Sequence, residues 1–308
     1  MISVIVATHN RSELLGGLLN RLTDQTLSQK DYEIIIVDDG SVDDTEENTK
    51  KFLNQNGNIK YVKQNNRGPA TARNRGIKES RGEILAFTDD DCLPAKNWIE
   101  TIKKEFDRNN GIAGLEGLTF TEKTKVTPLT HQLTNTEGGE AYPTCNAAYR
   151  AYYVRTEGGF DENYPYPHNE DVDLAWRIMK HGPIEFCDNM RVYHPPRKEK
   201  LGALIRRGRY LASEFHLFYK FPDKYAKKRA KNPWINIYIR YIFCIKLLSV
   251  CSWLKAWRKP WLFIMSFMIS SLQVLYLILM VPKFIKYESQ SKQYALGLYE
   301  KERGLRTE

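Results

Sequence analysis

Three consecutive aspartates, Asp89, Asp90 and Asp91, follow the apolar run Ile84–Phe87 and a single threonine. Adjacent carboxylates repel one another unless a cation shares their charge. Carboxylate oxygens are the ligands that Mg²⁺ and Mn²⁺ prefer in proteins. The triplet therefore predicts a divalent-cation site at a strand end, and an acidic turn before a helix is the alternative.

Two other acidic patterns could carry chemistry. Asp38 and Asp39 end an apolar run within "VDDGS", where carboxylates could accept hydrogen bonds from a base or a ribose, or could simply form an Asp-Gly turn. Glu170 and Asp171 open the helical pattern "EDVDLAWR". Acids at a helix start are ordinary partners of the helix dipole, so this pattern alone is a weak indication of function.

The elements that must position these acids alternate through the first 120 residues. Apolar runs typical of strands are each followed by a helical pattern, and a helix from about Pro94 follows the triplet. This order predicts an α/β fold with a mostly parallel sheet and helices on both faces. Because ligands bind at the carboxyl ends of such strands, we expect Thr8, Asp38–Asp39 and Asp89–Asp91 at one edge of the sheet.

Seven segments follow one another along residues 1–194: "SVIVATHNR", "IIIVDDGSVDDT", "NNRGPATARNRGI", "GEILAFTDDDCLP", "CNAAYR", "GGFDENYPYPHNEDVDLAWRI" and "VYH". In these segments and their order, the sequence resembles the family 2 inverting glycosyltransferases of GT-A fold, in a membrane-attached, non-processive form. The QxxRW motif of processive synthases is absent after "EDVDLAWR".

The resemblance implies a nucleotide-diphosphate sugar as donor and Mg²⁺ or Mn²⁺ as cofactor. Asp89, Asp91 and His194 would hold the metal, although any two of the three adjacent aspartates could be ligands. The residues implied on the donor side are Thr8, Asn10, Arg11, Asp38, Asp39, Arg73, Asp89 and Asp90.

The same resemblance implies the reaction. Asp171 would take the proton of the acceptor hydroxyl, with Glu170 as the fallback, and a single displacement would invert the anomeric carbon. Asn146 and Trp176 would lie on the acceptor side. A polyprenyl phosphate acceptor, which is already anionic, is one alternative. A nucleotide-sugar-binding membrane scaffold without catalysis is the other.

Charge and cysteine content restrict the partners and the compartment. The net charge of +9 comes from residues 197–231, which hold twelve Lys and Arg against three Asp and Glu, so the rest of the chain is neutral. Such a local excess favours a local partner over nucleic acid. Five scattered cysteines favour a reducing compartment, and "MISVIVATHNR" is too short an apolar start for a signal peptide.

The composition after residue 196 predicts attachment to a membrane. We expect a catalytic domain at 1–196, basic amphipathic interface helices at 197–232, hydrophobic helices at 233–286 and a polar tail at 287–308. The charge-free stretch 261–281 is long enough to span a bilayer, and 234–254 is a second candidate that contains Arg240 and Lys246. Lys227–Lys231 places the catalytic domain on the cytoplasmic side of the cell membrane.

Overall fold

A computed structural model of the chain describes residues 1–139, 141–246 and 260–302. These residues form two compact units. Unit 1 comprises Met1–Thr124, Gln132–Glu162 and Glu170–Pro196. Unit 2 comprises Lys125–His131, Asn163–Asn169 and Arg197–Glu308. The predicted catalytic domain 1–196 is therefore interrupted, because two short segments within it belong to the C-terminal unit.

The strands and helices follow the predicted alternation in the first part of the chain. The strands are β1 (Ile2–Thr8), β2 (Tyr32–Asp38), β3 (Ile59–Lys63), β4 (Ile84–Phe87), β5 (Leu93–Pro94), β6 (Gly114–Phe120), β7 (Thr130–His131), β8 (Ala147–Arg150), β9 (Ile184–Tyr193) and β10 (Arg197–Lys198). The α-helices of unit 1 are α1 (Ser12–Thr23), α2 (Thr45–Leu53), α3 (Pro69–Glu79), α4 (Trp98–Arg108), α5 (Ala151–Thr156) and α6 (Glu170–Ile178).

Unit 1 contains an eight-stranded sheet in the order β3-β2-β1-β4-β8-β6-β9-β5. Strands β1 to β4 are parallel, β8 runs antiparallel to both β4 and β6, and β9 is parallel to β6. The mostly parallel α/β fold is confirmed. The helix predicted from about Pro94 begins at Trp98 instead, because Leu93 and Pro94 pair with β9.

Apolar side chains on the two faces of this sheet form two separate cores. On one face, α1 and α4 contribute Leu18, Trp98 and Ile102 among others. On the other face, α3, α5 and α6 contribute Ile77, Val154 and Leu174. Covering both faces leaves the strand ends as the place where polar side chains can meet a ligand.

A glycine permits close packing of α3 on the sheet. A Cβ at Gly76 would lie 2.4 Å from the Cγ2 of Ile5 in β1. Because Arg73 lies one turn before Gly76, this contact holds Arg73 close to the strand ends. The segment "ARNRGI" therefore joins a packing residue, Gly76, to a predicted donor-side residue, Arg73.

Among the residues that the structure describes, unit 2 is mainly helical and contains the short pairing of β7 with β10. Its helical segments are α7 (Leu201–Arg206), a 3₁₀ segment (Arg207–Ala212), α8 (Ser213–Lys220), α9 (Pro222–Lys228), a π-helical segment (Ile235–Lys246), α10 (Pro260–Leu279) and α11 (Val281–Glu302). The expected polar tail from 287 onward is thus part of α11 as far as residue 302.

The apolar residues of the predicted interface helices are largely covered by unit 2 itself. Leu211 and Phe215 belong to one buried cluster with Ile237, Leu277 and Phe284. These side chains therefore do not form the membrane-facing stripe expected for 197–232. The candidate span 234–254 is described only as far as residue 246, and its remainder lies outside the described residues.

Candidate active site

The predicted donor-side residues meet at one edge of the sheet in unit 1. Thr8 is the last residue of β1 and pairs with Asp38 at the end of β2. Asp89 follows the end of β4, and His194 follows the end of β9. Because β1, β2, β4 and β9 run in the same direction, these ends lie at the same edge, as the sequence predicted.

Asp90 is turned inward. It is 2% exposed, and it accepts hydrogen bonds from the hydroxyl of Thr8 (2.9 Å) and from the guanidinium of Arg11 (2.7 Å). Burial raises the pKa of Asp90 to about 6, and the neighbouring Asp91 adds to the shift, although Arg11 opposes it. The middle aspartate thus fixes the loop against β1 and does not face solvent.

Asp89 is joined to the second acidic motif through Arg73. The guanidinium donates to Asp89 Oδ1 (3.2 Å) and to Glu170 Oε1 (3.1 Å), and it lies over the ring of Phe160. Burial would lower the pKa of Arg73, but Asp89, Glu170 and Asp171 together raise it. One buried cation therefore ties the donor-side aspartate to the start of α6.

Asp91 faces His194. Their closest side-chain atoms, Asp91 Oδ1 and His194 Nε2, are 3.7 Å apart, and both side chains are less than 10% exposed. Asp91, Cys92 and His194 each offer a ligand atom within 4.8 Å of the others. A carboxylate and an imidazole fit Mn²⁺, and water or phosphate oxygens could complete the shell.

Cys92 is the member of this group that the sequence did not single out. A hydrogen bond with Cys145 and burial raise the pKa of the Cys92 thiol, so the thiolate that a metal would bind is disfavoured. Its position next to Asp91 is the sequence feature that could have pointed to it. The structure assigns Cys92 to the buried core behind the site.

The carboxylates of Asp38 and Asp39 hold neighbouring loops in place through hydrogen bonds. Asp38 accepts hydrogen bonds from the backbone NH of Ser41 (2.7 Å) and from the hydroxyl of Tyr61. Asp39 accepts from the side chain of Gln64 (2.7 Å) and from the backbone NH groups of Arg67 and Gly68 (2.9 and 2.8 Å). A carboxylate has about four lone-pair positions, so Asp39 keeps capacity for one further donor.

Asn10 shapes the loop after β1. It has a positive φ of 52°, and its side-chain oxygen accepts from the backbone NH of Val42 (2.8 Å). Its side-chain nitrogen lies 2.9 Å from the ring of the exposed His9.

The two acidic residues of α6 occupy different surroundings. Glu170 is 5% exposed, and its Oε2 has no hydrogen-bond partner although its Oε1 accepts from Arg73. Asp171 is half-buried, and its Oδ1 accepts from the backbone NH of Val172 (2.8 Å). Of the two, Asp171 is the more accessible to an acceptor.

The two residues expected on the acceptor side are buried. Asn146 is fully buried, accepts from the indole of Trp98 (2.9 Å) and donates to the carbonyls of Leu118 and Met190. Trp176 is 3% exposed on the inner side of α6. Neither side chain presents a surface to a sugar, so we assign both to packing and correct the expectation.

The chain belongs to glycosyl transferase family 2, since the family model "Glycosyl transferase family 2" matches residues 3–172. Among relatives, the glycosyltransferase AglE of Haloferax volcanii is 39% identical over 100 residues, which cover 32% of this chain and 33% of AglE. The pre-mycofactocin glycosyltransferase of Mycobacterium tuberculosis is 25% identical over 246 residues, which cover 73% of this chain and 49% of that protein. The chain thus spans less than half the length of these relatives.

Solved structures show the same fold. The mannosyltransferase PcManGT from Pyrobaculum calidifontis, in complex with GDP-Man and Mn²⁺, is similar with a TM-score of 0.58 and 16% identity, over 96% of this chain and 84% of that one. Residues 1–349 of S. aureus TarS in complex with UDP-GlcNAc give a TM-score of 0.57 and 17% identity, over 97% and 91% of the two chains. The fold of this chain is therefore of the GT-A type.

Proposed function

We propose that the protein transfers a sugar from a nucleotide-diphosphate sugar to a hydroxyl acceptor, with inversion at the anomeric carbon. The observation that supports this most strongly is the double ion pair of Arg73 with Asp89 and Glu170. One guanidinium thereby joins Asp89, an aspartate suited to the donor's metal, to Glu170, which directly precedes the proposed base Asp171. Family membership supports the same reaction class.

The roles of the chain's own residues follow from this arrangement. Asp171 takes the proton of the attacking hydroxyl, because it is the acidic residue of α6 that is not deeply buried. Glu170 orients Arg73 and through it Asp89. The exposed side chain of Asn10 and the half-exposed Arg11 lie beside the nucleotide, while Asp39 fixes the loop that leads into α3.

We propose Mg²⁺ or Mn²⁺ as cofactor, which Asp91 and His194 would hold together with Asp89. The bound cation would offset the charge that develops on the leaving diphosphate. Asp90 keeps the loop in place from behind, through Thr8 and Arg11. Among the three adjacent aspartates, this proposal therefore takes Asp89 and Asp91 as the metal ligands.

The acceptor that we propose is a lipid-linked or surface-glycan precursor at the cytoplasmic face of the cell membrane. We do not propose nucleic acid as a partner. In the part of the chain that the structure describes, Pro260–Leu279 is one helix long and apolar enough to cross a membrane. The basic segment 197–231 supports contact with anionic lipid. An acceptor in the same membrane would meet the enzyme at high local concentration.

The experiment that tests this function combines donor and acceptor panels with the variant Asp171→Asn. Product mass spectrometry with UDP- and GDP-sugars identifies the donor. With a hydroxyl acceptor, Asp171→Asn should lower the turnover by about 10²–10⁴-fold while nucleotide-sugar binding stays near normal. The exposed Asp188→Asn serves as the matched control and should leave turnover unchanged.

The same variant separates the alternative acceptor. A polyprenyl phosphate carries its own negative charge at neutral pH, so it needs no base and should tolerate Asp171→Asn. Near-wild-type turnover of this variant on a hydroxyl acceptor would contradict the assignment of the base. Absence of any transfer with every donor would favour a nucleotide-sugar-binding scaffold.

A further inference from the structure

Helix α10 has two opposite apolar faces. Its inner face is buried and includes Leu262, Ile269, Gln273 and Leu277. We call the opposite side the outer face. Its large apolar side chains are between 38% and 68% exposed: Trp261, Ile264, Phe267, Met268, Leu272, Leu275, Ile278 and Leu279. At 3.6 residues per turn the two sets fall on opposite sides of the helix.

The inner face is packed along other helices of unit 2. The side chain of Gln273 donates to the carbonyl of Leu204 in α7 (2.9 Å). One turn later, Leu277 lies so close to Gly208 that a Cβ there would be 3.0 Å from the Leu277 Cδ2. The C-terminal half of α10 is thus one wall of a helical unit.

The helices that α10 packs against are charged. Arg206 is exposed at the end of α7, and the next residue, Arg207, forms an ion pair with Glu199. Arg209 lies over the rings of Tyr166 and Tyr210. All three arginines flank the positions that contact Gln273 and Leu277.

These charges disfavour an orientation across the bilayer. A helix of 20 residues is about 30 Å long, the thickness of the hydrocarbon core, so a crossing helix would place Gln273 within the hydrocarbon. The arginines beside it would then lie at a similar depth, where an exposed guanidinium is strongly unfavourable. A helix lying in the plane of the interface avoids this cost, because the arginines can reach the head groups.

We propose that α10 is an in-plane anchor whose outer face is buried in the surface of an anionic lipid bilayer. This inference rests on the membrane attachment proposed above and specifies its geometry. The partner is lipid because the outer face is apolar apart from Ser271, while exposed cations lie just after α10 at Lys283 and Lys286 and, in the α7 helix that packs against it, at Arg206. Apolar side chains enter the acyl region, and the cations bind anionic head groups.

The first experiment measures binding of the full chain to vesicles of phosphatidylcholine with or without phosphatidylglycerol. The wild type should bind the anionic vesicles more strongly, and added salt should weaken the difference. The double variant Phe267→Glu/Ile278→Glu should bind them at least about tenfold more weakly, since two large apolar side chains no longer enter the lipid. Tyr152→Glu, at an exposed aromatic of unit 1, is the matched control and should bind as the wild type does.

The second experiment measures depth. A fluorophore is attached at Ile264→Cys, Leu272→Cys or Ile278→Cys, with the labelled parent chain as background, and is quenched by lipids spin-labelled near the head group or near the chain end. An in-plane helix gives similar, shallow quenching at the three positions. Deepest quenching at Leu272 would show a crossing helix and overturn the proposal.

The remaining outcomes are also decisive. Absence of vesicle binding by the wild type overturns both the anchor and the proposed attachment. A soluble dimer whose dissociation requires Phe267→Glu/Ile278→Glu overturns the lipid partner in favour of a second copy of the chain. Sugar transfer by the full chain is measured separately in detergent. The proposed reaction is therefore tested independently of the membrane anchor.

Discussion

Asp90 in unit 1 and Glu214 in unit 2 are both carboxylates with only 2% of their surface exposed, but their surroundings have opposite effects. Asp90 has one guanidinium partner and two acidic neighbours, and its pKa is raised to about 6. Glu214 accepts hydrogen bonds from the side chains of five residues: His168, Asn169, Tyr225, Arg229 and Asn236.

The surroundings of Glu214 therefore shift its pKa in the opposite direction. Burial alone would raise its pKa, but the charge of Arg229 and the hydrogen bonds from His168 and Asn169 hold the pKa of Glu214 well below its usual range. These contacts organise Asn163–Asn169, which directly precedes Glu170 in the chain. The surroundings of Asp90, where acids outnumber cations, are suited to the binding of an added cation. Glu214, which accepts hydrogen bonds from five side chains, is instead suited to stabilising the fold.

The largest expected effect concerns activity at the acidic site. Asp91→Asn should lower turnover by about two to three orders of magnitude, because a bound cation contributes several kcal/mol to the transition state. EDTA should act similarly on the wild type. Thermal unfolding of the variant should stay close to that of the wild type. Full activity in EDTA would contradict a metal-dependent mechanism.

The next effect concerns stability at the saturated site. Glu214→Gln should destabilise unit 2 by about 3–5 kcal/mol, because Arg229 loses its counter-charge in a buried setting. Urea unfolding followed by tryptophan fluorescence measures this. Glu288→Gln is the matched control, since Glu288 accepts from the neutral donors Tyr219 and Trp234, and it should cost about 1 kcal/mol. Equal losses for the two variants would show that the ion pair adds nothing.

A third effect distinguishes the two sites by the sign of their pH dependence. The folded-state pKa of Asp90 is raised to about 6, so the stability it contributes is present below its ordinary pKa of 3.8 and is lost as the pH rises through about 6. In EDTA, Asp90→Asn should lack this loss, which is on the order of 2–3 kcal/mol. Denaturant titrations at several pH values measure the difference. A wild-type profile that matches the variant would contradict the raised pKa.

The smallest effect is the pH dependence of stability at Glu214, which has the opposite sign. Its folded-state pKa is lowered, so its contribution is present above its ordinary pKa of 4.5 and is lost as the pH falls toward the lower folded-state value. Between about pH 4.5 and 3.5, the wild type should lose about 1 kcal/mol more than Glu214→Gln. The same denaturant titrations, extended to acid, provide the measurement. Parallel profiles would contradict the lowered pKa.

The sequence by itself determined the fold class and the edge of the sheet where the candidate site lies. Alternating strand and helix patterns require a mostly parallel sheet, and such a sheet brings Thr8, Asp38 and Asp89 to one edge. The order of the acidic motifs along the chain was enough to predict the family, which the match over residues 3–172 confirms. These features depend on local periodicity and chain order, both of which are readable from residue types.

Only the tertiary structure decided what each side chain faces. Adjacent residues in a turn point in different directions, so Asp89, Asp90 and Asp91 meet Arg73, Thr8 and His194 respectively. Asn146 is buried because Trp98, far from it in sequence, donates to it. Leu211 and Phe215, expected on the lipid-facing stripe of 197–232, are covered by other helices of unit 2, because burial depends on partners that no local pattern specifies.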